Sequence, residues 1–171
     1  ARYGVSILNQ EHDKPFFLAL GFHKPHLPFI APQKYFDLIP DTEKIIEPPI
    51  LDDDLADIPW AGRSNARIDD DVTIRELGIR RGIIRAYLAC GAFIDDMIGD
   101  VLEALDNSPY AGNTIIVLWT DHGWHLGEQG IMAKFGPWKE SIHGAAIVVS
   151  SDKGMYQNQD ALLCVCRMIV A

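Results

Sequence analysis

The stretch Thr114-Ile115-Ile116-Val117-Leu118-Trp119 runs directly into Thr120-Asp121-His122-Gly123, and this junction is the most informative part of the sequence. The first six residues are nearly all apolar or β-branched, which predicts a strand covered on both faces in a parallel sheet. Ligands collect at the carboxyl ends of such strands. Asp121 offers anionic oxygens, His122 offers a ring nitrogen, and Gly123 allows a sharp turn and close approach to a ligand. The junction therefore predicts a divalent-metal site, although an aspartate at this place also serves as an ordinary turn cap.

Strands and helices alternate along the rest of the chain. Residues 16–20 form an apolar run that predicts a buried strand, and residues 145–149 predict another. Residues 82–105 carry apolar side chains at helical spacing and predict one long helix packed on the sheet. This order is typical of an α/β fold with a predominantly parallel sheet flanked by helices. Trp119 lies within its strand and is expected in the core.

Two long stretches carry a more specific signal. Residues 117–134 read VLWTDHGWHLGEQGIMAK, and residues 16–29 read FFLALGFHKPHLPF. Both resemble the sulfatase family of the alkaline-phosphatase-like superfamily, in particular its iduronate-2-sulfatase-like branch. The resemblance covers roughly residues 15–40 and 80–142. It implies a partial alkaline-phosphatase/sulfatase-like domain.

The resemblance also implies roles for four residues. Asp121 and His122 correspond to calcium ligands of the family, although a histidine nitrogen is better suited to zinc or manganese. Lys134 corresponds to a lysine that contacts the sulfate group, where a flexible ammonium is a suitable point charge. His26 corresponds to a histidine that touches the sulfate or the leaving oxygen. From the residues alone, Lys134 also fits an exposed loop lysine, and His26 fits a cap of its proline-bounded turn.

Weaker candidates surround these positions. His23, Lys24 and His125 are possible substrate contacts, since they lie in polar turns at strand ends. Trp124 and Trp138 could form an apolar wall beside a sugar ring, although aromatic residues near a site more often serve packing.

Sulfatases use a formylglycine made from Cys or Ser in a Cys/Ser-x-Pro/Ala-x-Arg motif, and this sequence contains no such motif. Its cysteines are Cys90, Cys164 and Cys166, of which Cys90 fits a small buried apolar residue of a helix. The acidic pair that completes the family's calcium site is missing as well. Residues 1–171 are therefore expected to be part of a single sulfatase catalytic domain without its nucleophile-bearing N-terminal part. The isolated chain is expected to be inactive.

The function implied by the resemblance is hydrolysis of sulfate esters of sugars or glycans by the full-length protein, with calcium and formylglycine. A zinc- or manganese-dependent phosphodiesterase of the same superfamily is the first alternative, and a non-catalytic chain is the second. The family's usual location is periplasmic, secreted or lysosomal, and only the resemblance carries that expectation to this chain.

Composition and net charge limit the classes of partner that the chain is expected to bind. Nearly half of the 171 residues are hydrophobic, and no apolar run is long enough to span a membrane. The net charge of -9 argues against nucleic-acid binding, which needs clustered Lys and Arg. Residues 41–71 hold ten acidic against three basic residues, and residues 41–80 are predicted to be an irregular acidic loop insertion that is solvated and could act as a lid or specificity element. Nothing in the sequence sets the oligomeric state.

Overall fold

The computed structural model describes residues 1–51, 53–64, 66 and 68–150. These residues divide into two compact units, one made of Ala1–Ile39, Ala86–Val117 and the chain from Ile147, the other of Pro40–Arg85 and Leu118–Ala146. That both belong to a single catalytic domain stays a prediction. The α-helices are α1 (Arg2–Leu8), α2 (Gln33–Phe36), α3 (Trp60–Arg63), α4 (Ile68–Glu76), α5 (Arg80–Asp106) and α6 (Lys139–Ile142). The strands are β1 (Ile116–Trp119) and β2 (Ala146–Val149), and single 3-10 turns cover Thr42–Lys44 and Glu128–Gly130.

The long helix is confirmed. It spans Arg80–Asp106, slightly beyond the predicted residues 82–105. Ile84, Ala89 and Leu105 are buried along it, as the helical spacing of the apolar residues predicts. Cys90 is also fully buried, and burial raises the pKa of its thiol, which agrees with a packing role.

In the first unit, α2 is fastened to α5 by one carboxylate. Asp96 accepts a hydrogen bond from the Tyr35 hydroxyl and lies 2.9 Å from Lys34 Nζ. The Tyr35 ring also packs on Phe93, with 5.0 Å between ring centroids. These hydrogen bonds, the one from Tyr35 first, hold the pKa of Asp96 below its usual value. Asp96 therefore has a structural contact of its own on the helix surface.

The N-terminal segment is held by Tyr110, which follows α5. Its hydroxyl accepts from the backbone N–H of His12 and donates to the carbonyl of Gln10, both at 2.8 Å. Phe16 meets the Tyr110 ring edge-on at 5.1 Å. The prediction of a buried strand over residues 16–20 is wrong for the described chain, since Phe17 is 91% exposed and these residues pair with no strand. A strand needs a neighbour that supplies backbone partners, and β1 and β2 pair only with each other.

The two predicted strands around the junction do form, and they pair in one two-stranded sheet. Burial alternates along them, and Val117 and Trp119 are 50% and 63% exposed. The predictions of two-face burial for this strand and of a core position for Trp119 are therefore wrong in the described chain, because no further layer covers the second face there. The predominantly parallel sheet stays a prediction.

The second unit contains the acidic segment, residues 41–80, which has more secondary structure than its composition indicates. Residues 41–80 include the 3-10 turn Thr42–Lys44 and helices α3 and α4. A small core joins this segment to the chain after β1: Ala66, Ile131 and Ala133 are buried together, with Leu55 and Trp138 packed against them. Each helix of the described chain is too short or too polar to span a bilayer.

Candidate metal and anion site

The loop after β1 is fastened to the chain around α6 by backbone contacts. Thr120 N–H donates to the carbonyl of Ala145 at 2.9 Å, and Gly123 N–H donates to the carbonyl of Ser141 at 2.8 Å. A Cβ atom on Gly123 would collide with the carbonyl oxygen of Glu140 and lie 2.8 Å from that of His143. The sequence indicates close approach at Gly123, and the structure shows that the approach is to the backbone of α6 and its C-cap.

Asp121 and His122 present two donor atoms near each other. Asp121 Oδ2 lies 3.6 Å from His122 Nε2, with 86% of the aspartate side chain and 28% of the histidine side chain exposed. His122 Nδ1 lies 2.7 Å from the carbonyl oxygen of Gly123. Because a carbonyl only accepts, Nδ1 carries the hydrogen and Nε2 presents its lone pair. This is the tautomer that a metal ligand requires.

Lys134 joins these two residues although it lies twelve positions further along the chain. Its Nζ is 3.0 Å from His122 Nε2. An ammonium group has only hydrogens to give, so it donates to the imidazole lone pair. The structure thus brings three of the four predicted site residues together, and it places a positive charge where an anion could be bound.

The pair Asp121 and His122 fits part of a divalent-metal site. Two neighbouring oxygen or nitrogen ligands of one calcium ion stand about 3.3–3.7 Å apart when they subtend a right angle at bonds of 2.3–2.6 Å, and the observed separation is 3.6 Å. Two ligands do not complete such a site, and no group of three or more His, Cys, Asp or Glu residues suited to a metal occurs in the described parts of the chain. The pair therefore fits as two ligands of a larger set.

His26, the fourth predicted residue, belongs to the first unit. Its Nδ1 lies 2.8 Å from the carbonyl oxygen of Leu27, which fixes the hydrogen on Nδ1 in the neutral ring. The His23 ring packs beside it at 4.9 Å, and Lys24 Nζ donates to the carbonyl of Pro28. The turn is closed on itself by its own side chains, and this holds the His26 ring in one orientation.

His125 is completely buried, so its prediction as a possible substrate contact is wrong. Its backbone N–H donates to the carbonyl of Ala133 at 2.9 Å. Its ring packs edge-on against Trp138, with 6.2 Å between the ring centroids. Burial lowers the pKa of His125, and the nearby carboxylates of Glu140 and Glu128 only partly oppose this shift. The imidazole is therefore neutral at pH 7 and serves packing. Trp138 likewise packs on the small core rather than standing free as a wall.

Sequence reasoning missed two residues close to this loop. Asp71 and Arg80 are both buried and form an ion pair. The acidic run that contains Asp71 is expected to be solvated, and nothing local marks Arg80 as its partner. The available signal was the glycine pair Gly127 and Gly130, because such spacing indicates a close approach of the backbone to another group.

Comparisons with known proteins identify the family of the chain. The sulfatase family profile matches residues 2–162. A sulfatase of Formosa agariphila is 51% identical over 139 residues, which are 78% of this chain and 27% of that protein. The iduronate 2-sulfatase of Mus musculus is 37% identical over 71% of this chain and 24% of its own length, and that of Homo sapiens is 34% identical over 75% and 25%. The chain thus spans about a quarter of the length of these curated relatives, and it belongs to the sulfatase family.

Proposed function

We propose that the complete protein is a sulfuric ester hydrolase that cleaves sulfate esters of sugars. The observation that carries this proposal is the Lys134 ammonium, which lies 3.0 Å from His122 in the same loop as Asp121. It gives a chain of net charge -9 a local site for an anion. Sulfatases use a formylglycine and a divalent metal, and we assign the formylglycine to sequence outside these 171 residues.

Calcium is the metal that we propose. Asp121 supplies the kind of oxygen that calcium prefers, and His122 would offer Nε2 beside it in place of the hydrogen bond that this atom accepts from Lys134. A bound calcium ion would supply positive charge to the sulfate oxygens and orient the nucleophile.

The side chains of this chain have separate tasks in the proposal. Lys134 holds a sulfate oxygen with a charged donor on a flexible stem. His26 has its Nδ1 hydrogen-bonded to the Leu27 carbonyl, so we assign to its Nε2 the donation of a proton to the leaving oxygen when the ring is charged. Both tasks place positive charge where negative charge grows as the ester bond breaks.

The names of the relatives support the proposed substrate class. Two of them are iduronate 2-sulfatases, at 37% and 34% identity. We therefore propose a sulfated sugar or glycan as substrate, with 2-sulfated iduronate as the first compound to test. A location outside the cytosol, in the periplasm, in a lysosome or after secretion, is proposed on the family resemblance.

One observation favours a second function. His122 carries its hydrogen on Nδ1, and its unprotonated Nε2 is a better ligand for zinc or manganese than for calcium. A phosphodiesterase of the same superfamily with one of these metals would use the same three residues.

The two functions are separated by substrate and metal together. The full-length protein is stripped with a chelator, resupplied with calcium, zinc or manganese, and assayed on 4-nitrophenyl sulfate and on bis(4-nitrophenyl) phosphate. We expect calcium to restore sulfate hydrolysis, with at least a hundredfold preference over the phosphodiester. The isolated 171-residue chain is the control and should turn over neither ester. Zinc-restored phosphodiester hydrolysis without sulfate hydrolysis would refute the sulfatase proposal.

A further inference from the structure

The second unit contains a buried ionic cluster whose residues have not been assigned a function. Asp71 of α4 has no exposed side-chain surface and pairs with Arg80 at the start of α5, whose side chain is 6% exposed. Arg75 Nε lies 3.0 Å from the other Asp71 oxygen. Glu47 completes the cluster, with its carboxylate 3.9 Å from Arg80 Nε and 2.7 Å from Arg81 Nε.

Burying such a cluster contributes little net free energy to holding helices together. Removing a carboxylate and a guanidinium from water costs free energy that their mutual attraction offsets only in good geometry. Apolar side chains of similar volume would serve packing equally well or better. A buried pair such as Asp71 and Arg80 is therefore better explained by what it orients than by the stability it provides.

The turn between Gly127 and Gly130 packs against the Asp71 and Arg80 side chains. A Cβ atom on Gly127, whose φ is +124°, would lie 3.1 Å from both Cζ and Nη1 of Arg80. A Cβ atom on Gly130, whose φ is +67°, would lie 3.8 Å from Asp71 Oδ2. Helix α4 packs against this turn. The turn backbone thus passes too close to the Arg80 guanidinium at Gly127 for an unhindered side chain, and a side chain at Gly130 would reach van der Waals contact with Asp71.

The same turn connects the segment that carries Asp121 and His122 to the segment that carries Lys134. Before the turn, the N–H of His125 donates to the carbonyl of Ala133 after it, at 2.9 Å, which closes the loop one residue before Lys134. Any change in the turn alters where Ala133, and with it Lys134, stands relative to His122. Lys134 Nζ lies 3.0 Å from His122 Nε2, so a shift of the closed loop would change this contact.

We infer that Asp71 and Arg80 are positioning residues, which hold the Gly127–Gly130 turn and thereby place the Lys134 ammonium for the anionic substrate. The inference rests on the proposed role of Lys134. It assigns no contact with substrate to either residue. The positive φ values of +124° and +67° favour glycine at both ends of the turn, and at Gly127 a side chain would also press on the Arg80 guanidinium.

The test is a double-mutant cycle in the full-length protein. Arg80→Lys keeps the charge but lacks the flat guanidinium, and we expect kcat to fall at least tenfold while KM changes less than threefold. In a Lys134→Ala background the same substitution should change kcat less than twofold, because the group that it positions is gone. The matched control is Arg81→Lys, which alters a half-exposed arginine of the same cluster and should leave kcat within twofold.

Several outcomes would overturn the inference. One is unchanged kcat in folded Arg80→Lys, and another is an equal loss in both backgrounds, which would show that Arg80 acts independently of Lys134. If Arg80→Lys does not fold, Asp71→Asn repeats the cycle, and failure of both to fold would show a purely structural pair. The cycle is run on the ester, sulfate or phosphodiester, that the wild type hydrolyses faster. A failure of the sulfatase proposal is therefore seen in the wild type, and a failure of the positioning inference is seen in the coupling.

Discussion

Gly123→Ala is expected to disrupt the loop that carries Asp121 and His122. The added methyl would collide with the Glu140 carbonyl oxygen and lie 2.8 Å from that of His143, and both are backbone atoms that cannot turn away. Overpacking of this kind costs about 1–3 kcal/mol, and contact with fixed backbone places it at the upper end or beyond. We expect the full-length variant to unfold several degrees lower and to lose at least 99% of its ester hydrolysis. Thermal unfolding and initial rates measure both effects.

The control is Gly99→Ala within α5, where an added methyl meets no atom within 4 Å. Alanine is favoured over glycine inside a helix by about 0.5–1 kcal/mol, so this variant should be slightly more stable and equally active. If Gly123→Ala behaves like Gly99→Ala, the close packing of the loop on α6 is not required, and the account of the site's geometry fails.

Lys134→Ala should lower kcat of the full-length protein by about 10²–10³-fold, the loss typical when one donor to a developing negative charge is removed. Its folded state should be little affected, because the side chain is partly exposed and contacts the loop through its ammonium. Lys134→Arg keeps the charge and should retain more activity. Rates on 4-nitrophenyl sulfate, together with unfolding curves, give the comparison.

Lys44→Ala is the matched control, since the Lys44 side chain is exposed and forms a surface ion pair with Asp41 at 3.8 Å. We expect its rate to stay within twofold of the wild type. Equal rates for the Lys134 and Lys44 variants would remove Lys134 from the site and, with it, the observation on which the sulfatase proposal depends.

Local patterns were sufficient for the elements that bear the site. Helix α5 and the strands β1 and β2 follow from spacing and β-branched content, because these signals lie within each segment. The junction at Asp121 and His122 was found by its residue types, and Lys134 by resemblance to the family. Their convergence is a finding of the structure.

The sequence does not predict which distant segments pair or pack with each other. Residues 16–20 have strand composition, but a strand needs a paired neighbour, and none pairs with them in the described chain. Trp119 lies on the face of the β1–β2 sheet that no layer of the described chain covers. Asp71 lies in a run of acids that indicates solvent exposure, and its burial depends on Arg80, nine positions away. In each case the environment, rather than the segment, decides the outcome.

The most direct test of the metal and anion site is a calcium titration of the chelator-stripped full-length protein, followed by tryptophan fluorescence, since Trp124 lies two residues from His122. Asp121→Asn is titrated beside the wild type, because it keeps the shape of the side chain and removes the charge that calcium needs. We expect a saturable change in the wild type and at least tenfold weaker binding in the variant. Identical curves for the two proteins, or a response to zinc alone, would contradict it.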